Sequence, residues 1–473
     1  MATESLLWFD LETTGRDATR DRILQFAARR TDLNLNPVGE PINFLCKPPP
    51  DRLPDPEAIA LTGISIAQCE AEGLTEFAFA KRIFATFEAA DTCIVGYNSL
   101  RFDDEFLRNL FYRNLFDPYA REWQHGRSRW DVIDTVRLCR ALRPDGIVWP
   151  VDDAGAPSNR LELLSRANGL THESAHDALS DVDATIAMAS LLRDRQGKLY
   201  NYAFSHRDKR SVAQLLKLHQ PEPIVHISGM YGAKHNFIAV VLPLIEHPTN
   251  KNGILVADLS YSADPYRTLS AEALRDNWFG DAASHGPLNR LPVKTLHINR
   301  CPVVAPLTVL RPEDQARLGI DMDQINANLP SWTDTGLHDT VLRVLDSPNF
   351  ITPSDPELQL YSGGFFSSRD RSTMQQLVAA ADDASPIARG QTFDDQRIAV
   401  LVDRARARNW PDQISEDERA AWQAWVEASR DDAALHTVNR QAFVETVARL
   451  GRERPDTKAL MDELSAHYRH LLN

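Results

Sequence analysis

The stretch Leu6-Leu7-Trp8-Phe9-Asp10-Leu11-Glu12-Thr13-Thr14-Gly15 constrains this chain more than any other: a short apolar run closes on two carboxylates one residue apart and is followed by a turn. Successive side chains of an extended strand alternate between faces, so Asp10 and Glu12 are expected to project from one side at the strand end. Two carboxylates on one rigid edge repel each other unless a cation neutralises them, and for hard oxygen donors that cation is magnesium or manganese. An Asp-x-Glu in this setting also fits a plain turn with a solvated Glu, so the chemistry depends on what the rest of the chain brings to it.

At 473 residues the chain is too long for one core and is expected to form two to four domains. Cys46, Cys69, Cys93, Cys139 and Cys301 are scattered with no Cys-x-x-Cys, which argues against a disulfide framework and a zinc site and predicts a reducing compartment, the cytoplasm. No basic and apolar leader precedes the first strand, and no apolar run approaches the roughly 18 residues that span a bilayer, so neither secretion nor a membrane partner is expected. The formal charge of −14 argues against a protein that coats nucleic acid by bulk attraction. The acidic excess lies in residues 1 to 200 and 351 to 473, with residues 201 to 350 nearly neutral. Any nucleic-acid contact therefore rests on local Arg and Lys placement.

Along the first part of the chain, apolar runs at Leu6 to Phe9, Ile23 to Ala28 and Pro41 to Leu45 read as a strand meander. A Pro-rich loop from Pro48 to Pro56 leads to a short helix at Ala58 to Ile64 stopped by Gly63, an amphipathic helix at Phe77 to Phe87, and a strand at Cys93 to Asn98. Asp103 follows at a strand-to-helix junction, where α/β proteins display ligand-binding groups. Helix capping explains an acid there equally well, and Asp131 stands in a similar setting as a rival. Ala178, Val182, Ile186 and Ala189 repeat at helical spacing, so a helix starts near His176 and carries Asp181 in its first turns. Positions five apart do not share a helix face, so His176 and Asp181 serve one site only if His176 lies on the approach to the helix. Asp177 and Asp183 read as helix-start and solvent-face acids.

From residue 197 the pattern changes to short β-rich runs at Ile224 to Ile227, Phe237 to Val241, Ile254 to Asp258 and Thr295 to Ile298, and from about residue 350 to helical spacing through Leu472. Ser362 to Ser367, with two glycines, reads as a hinge.

Asp10, Glu12, Asp103, His176 and Asp181 share their order and spacing with the DEDDh exonucleases of the RNase H-like fold, which they resemble. The longer phrases Gly96 to Glu105, Phe111 to Asn114, Ser128 to Asp131, Leu142 to Ile147 and Leu310 to Ile320 resemble the bacterial exodeoxyribonuclease I family almost end to end. This resemblance favours Asp103 over Asp131 as a ligand. It implies an α/β RNase H-like exonuclease domain with a mixed sheet over residues 1–196, an SH3-like β-rich domain over 197–349 and a helical C-terminal domain over 350–473.

The activity it implies is 3′-to-5′ degradation of single-stranded DNA to mononucleotides, in DNA repair and recombination, by hydrolysis with two Mg2+ ions or with Mn2+ in their place. Asp10, Glu12 and Asp181 would hold one ion, Asp10 and Asp103 the other, and His176 would deprotonate the attacking water. Arg101, Arg113, Arg129, Tyr97, Phe102 and Trp130 are candidates for tracking phosphates and stacking on bases, though each aromatic suits a core as well. The family also docks the acidic C-terminal tail of single-stranded DNA-binding protein. Arg143, Tyr202 and Arg311 match that pocket, while Pro306 replaces its usual Gln, which leaves the pocket's charge but removes a hydrogen-bonding side chain. The chain is expected to be a monomer. A proofreading or RNA-trimming enzyme and a non-catalytic DNA-binding scaffold are the competing readings.

Overall fold

The computed structural model describes residues 4–171, 177–281, 288–333, 335–346 and 352–472. The chain divides into two compact units, one of Met1–Ser128, His172–Asp183 and Phe350–Asn473, the other of Arg129–Thr171 and Ala184–Asn349. In the first unit, β1 (Ser5–Thr13), β2 (Ile23–Thr31), β3 (Ile42–Leu45) and β4 (Thr92–Gly96) lie in the order β3-β2-β1-β4. β1 runs antiparallel to β2 and parallel to β4, so the sheet is mixed. Leu6, Leu7, Trp8 and Phe9 are all buried, as a near-continuous apolar run in a sheet covered on both faces requires. The run does not end at Phe9. Asp10 pairs with Ala27 and Glu12 with Gln25, and the register slips only after Glu12, so both carboxylates sit within the strand and inherit its rigidity.

The helix expected from Ala58 starts earlier, at Pro56, because Asp55 caps it and the fixed φ of proline suits a first helical position. It ends as expected at Gly63, whose φ of +70° is the left-handed conformation that closes a helix. Helices Ser368–Ala380 and Gln396–Asn409 bring Met374, Leu377, Ile398 and Leu401 into one core with Phe9, Phe26, Phe87 and Phe106. The expected hinge is held: Arg397 donates to the Gln359 and Gly364 carbonyls at 3.0 Å each. Glu357, almost fully buried, accepts from Arg22 at 3.3 Å, Arg52 at 3.1 Å and Arg408 at 2.9 Å, and Arg408 also forks onto Asp51. Breaking one partner of such a buried set costs about 3–5 kcal/mol, so these ions pin the Pro-rich loop.

β5 (Ser128–Asp131) carries the chain into the second unit. There β6 (Ile224–Ile227), β7 (Ile238–Glu246), β8 (Gly253–Asp258), β9 (Val293–His297) and β10 (Val303–Pro306) form an antiparallel sheet in the order β10-β6-β7-β8-β9. The four expected runs correspond to β6 through β9. β10 has no counterpart among them: it is four residues long and ends in Pro306, a residue tolerated because this strand lies at the sheet edge. Two helices carry candidate site residues, α1 (Asp103–Arg113) and α2 (Ala178–Ser205). α2 runs through the boundary expected at residue 196, with non-helical dihedrals at Gln196 itself. No helix among the described residues is long and apolar enough to cross a membrane.

Candidate active site

Asp10 and Glu12 from β1 and Asp181 from the first turn of α2 each offer a carboxylate oxygen within 4.8 Å of the other two, the one such group among the described residues. The fourth acid arrives from the other side of β1. After β4, Gly96 lies so close to its surroundings that a Cβ would sit 2.5 Å from the Ser99 side chain and 3.3 Å from the Phe9 carbonyl oxygen. Asn98 then takes a left-handed turn with φ of 62°, and a single turn at Ser99–Arg101 leads into α1. Asp103 opens that helix and is buried. Its neighbours are spoken for: Asp104 pairs with Arg121 at 2.5 Å, and Glu105 with Arg108 at 2.7 Å. The helix start is thereby held by the two residues that follow Asp103.

Electrostatics in this cluster are dominated by burial and like charge. Burial pushes the Glu12 carboxyl up to about 9, reinforced by the charges of Asp181, Asp103 and Asp177. Burial also raises Asp10 well above the usual carboxylate range, followed by Asp103, Glu12, Asp181 and Asp177 in that order. Asp103 therefore stands outside the tight triplet but is the strongest charge neighbour of Asp10. A set of carboxylates that cannot all ionise together suits a hard divalent cation, which relieves the repulsion and uses only oxygen donors. His176 lies outside the described residues.

The start of α2 is tied to the sheet by residues that no sequence motif singles out. Gln25 Nε2 donates to Asp177 Oδ1 at 3.1 Å and to Asn43 Oδ1 at 3.1 Å, while Asp177 Oδ2 accepts from the Ser180 backbone N–H at 3.1 Å. Asp177 is thus a helix-start acid with a second bond. Asp183 is exposed as expected, yet it forms a two-pronged pair with Arg29, at 2.6 Å from Nε and 3.0 Å from Nη2. The one signal that points to this tie is Gln25 itself, a polar residue inside the apolar run Ile23 to Ala28. Asp131, the rival of Asp103, caps a helix instead: its Oδ1 accepts from the Ile133 N–H at 3.2 Å.

Among the residues considered for DNA contact, Arg101 is exposed and Tyr97 and Phe102 are half-buried, Phe102 against Phe106. Three others are corrected by burial. Arg113 is 2% exposed and bonds Glu76 at 2.8 Å, so its charge is spent on a core ion pair. Trp130 is packed edge-on against Tyr200 and Phe204. Arg129 is buried and donates to the Asn299 carbonyl at 3.0 Å. In the second unit, Arg143 and Arg311 meet on Asp314, at 2.8 and 2.9 Å, with Arg317 at 3.3 Å. Burial would raise the Asp314 carboxyl, but the bonds from Arg311 and the charge of Arg143 hold it well below the usual carboxylate range. Tyr202 donates to the Val304 carbonyl at 2.8 Å, and Pro306 is exposed two residues on.

The sequence matches three family descriptions: "Exonuclease" over residues 7–189, "Exonuclease I SH3-like domain" over 207–343 and "Exonuclease I C-terminal domain" over 354–471. It is 44% identical over 420 residues to exodeoxyribonuclease I of Escherichia coli strain K12, covering 88% of each chain. It is 40% identical over 437 residues to exodeoxyribonuclease I of Haemophilus influenzae, covering 91% of this chain and 92% of that one. In three dimensions it matches exonuclease I from Methylocaldum szegediense at a TM-score of 0.93 and 42% identity, over 99% of this chain and 100% of that one. E. coli exonuclease I in complex with a dA16 oligonucleotide matches at a TM-score of 0.93 and 40% identity, again over 99% and 100%. An exonuclease domain implies a divalent metal, in keeping with the carboxylate triplet that this chain places on its central strand. With an exonuclease domain, an SH3-like domain and a C-terminal domain in that order, the chain belongs to the exodeoxyribonuclease I family and is a nuclease.

Proposed function

We propose that this exonuclease degrades single-stranded DNA from the 3′ end to mononucleotides, in DNA repair and recombination. The observation that carries the reading is the Asp10, Glu12 and Asp181 triplet, with Asp103 as the charge that most raises Asp10. Asp10, Glu12 and Asp181 would hold one divalent ion, Mg2+ or Mn2+, and Asp10 with Asp103 a second. Such ions supply positive charge at the scissile phosphate and at the leaving oxygen.

The remaining work falls to the chain. An imidazole nitrogen of His176 takes a proton from the attacking water as its oxygen bonds to phosphorus and the P–O3′ bond breaks; the departing 3′ oxygen takes a proton from solvent, leaving a 5′-mononucleotide and a strand one residue shorter with a 3′-hydroxyl. A neutral imidazole suits this role because a histidine ordinarily titrates near pH ~6.5. Arg101, Tyr97 and Phe102 remain the candidates for holding the strand, by charge and by stacking. E. coli exonuclease I has been solved with a dA16 oligonucleotide and in a complex with single-stranded DNA, which supports the same substrate here.

The nuclease, SH3-like and helical parts are taken as residues 1–196, 197–349 and 350–473 of a cytoplasmic monomer. The basic set of Arg143, Arg311 and Arg317 shares Asp314, and Arg311 also pairs with Glu313 at 3.2 Å; the remaining positive charge suits the acidic tail of single-stranded DNA-binding protein. Tyr202, which donates to the Val304 carbonyl, would complete the pocket, and the exposed Pro306 offers no side-chain donor.

Matched DNA and RNA single strands separate this reading from an RNA-trimming enzyme. The DNA strand is expected to disappear in Mg2+, to persist in chelator, and to be cut far faster than the RNA. Equal loss of both strands, or chelator-insensitive loss, would overturn the assignment.

A further inference from the structure

Gln25 and Arg29 stand four residues apart on β2 and so share a face. Directly paired residues of antiparallel strands project to the same side, and the register pairs Gln25 with Glu12, Ala27 with Asp10 and Arg29 with Trp8. The face of β1 that carries the carboxylates is therefore continued on β2 by an amide and a guanidinium. Both reach the start of α2. The two hydrogens of the Gln25 amide go to Asn43 Oδ1 and Asp177 Oδ1, each at 3.1 Å, so the amide is itself anchored before it anchors the helix. Asp177 passes the restraint on, because its other oxygen accepts from the Ser180 N–H at 3.1 Å. Arg29 forks onto both oxygens of Asp183, at 2.6 and 3.0 Å, a geometry that fixes direction as well as distance.

The two attachment points bracket Asp181, four residues after the first and two before the second. Some restraint of this kind is needed, since Asp181 must approach Asp10 and Glu12 against their repulsion, and Asp177 adds to the same negative field. We propose that Gln25 and Arg29 are positioning residues that clamp the start of α2, setting Asp181 against Asp10 and Glu12. The proposal rests on the reading of that triplet as a nuclease metal site.

A clamp and a general charge effect differ in sign. If Arg29 and Asp183 acted only through their charges, removing the cation would strengthen the repulsion that a metal relieves, and removing the anion would weaken it, so the two substitutions would move metal affinity in opposite directions. A clamp fails whichever end is cut.

The test measures Mn2+ affinity by electron paramagnetic resonance, together with kcat and KM on single-stranded DNA, for the full chain and for Arg29→Ala, Asp183→Ala, the double variant and Gln25→Ala. Arg29→Ala and Asp183→Ala are expected to weaken Mn2+ binding in the same direction, each by about three- to tenfold, with the double variant no worse than either. Gln25→Ala is expected to lower kcat by about tenfold to a hundredfold at unchanged KM, the range typical of residues that orient metal ligands. The side chain of Asp183 is 47% exposed, so Asp183→Ala keeps the test open even if Gln25→Ala fails to fold. Opposite shifts for Arg29→Ala and Asp183→Ala, or unchanged Mn2+ affinity in both while the unsubstituted protein binds Mn2+ and cuts DNA, would overturn the clamp. An unsubstituted protein that neither binds Mn2+ nor cuts DNA would instead remove the metal-nuclease reading and the clamp with it.

Discussion

Asp10→Ala is expected to abolish turnover, lowering kcat by at least about a thousandfold, which corresponds to about 4 kcal/mol of lost transition-state stabilisation. The size follows from position. The charge of Asp10 interacts with those of Asp103, Glu12 and Asp181, Asp103 most strongly, and in the proposed mechanism it would serve both ions. It also sits within the central strand, paired with Ala27. Glu12→Ala leaves Asp10 and Asp181 in place and is expected to cost less. Asp10→Asn provides the control for folding: it keeps the shape of the side chain and is neutral, as burial and like charge favour for Asp10 itself, so the metal-free protein should be no less stable than the unsubstituted one. Steady-state degradation of a labelled single strand, read beside thermal unfolding, measures both effects.

His176→Ala is expected to lower kcat by about a hundredfold to ten-thousandfold, the range for loss of a positioned general base, with DNA affinity retained. The pH profile gives the sharper reading. Acidification acts twice in the same direction. Protonating His176 would remove the proposed base. Asp10 and Glu12, raised by burial and by like charge, hold protons that a cation must displace, so metal affinity also falls as pH falls. Saturating Mg2+ counters the second effect and leaves the first. At saturating Mg2+ the unsubstituted enzyme should therefore keep an acid limb that His176→Ala lacks. A His176→Ala enzyme with the full rate and the same acid limb would remove histidine from the mechanism.

Much of this site is legible in the amino-acid sequence, because its logic is local. The alternation of a strand puts Asp10 and Glu12 on one side, and a helical repeat identifies the turn that carries Asp181. Asp103 and Asp131 cannot be separated locally, since each follows a strand and opens a helix; the distinction lies in the bond from the Ile133 N–H to Asp131 and in the charge that Asp103 exerts on Asp10. Arg113, Arg129 and Trp130 depart from expectation for a related reason. Their partners are Glu76, Asn299, Tyr200 and Phe204, all far away in sequence, and a basic or aromatic residue near a nuclease motif looks the same whether it meets a strand of DNA or the core. The tie from Gln25 to Asp177 spans 152 positions and is equally invisible to local pattern. β10 is hidden because a four-residue run bounded by prolines carries almost no periodicity.

The direction of the cut is the most direct test of a nuclease built on these carboxylates and specific for a 3′ end. A single-stranded DNA labelled internally and blocked either at its 3′ end or at its 5′ end, incubated in Mg2+ and sampled over time, reads it. The 5′-blocked strand should shorten one nucleotide at a time with release of mononucleotides, the 3′-blocked strand should persist, and Asp10→Ala should leave both intact. Degradation of the 3′-blocked strand, internal cutting of either, or activity that survives Asp10→Ala would contradict it.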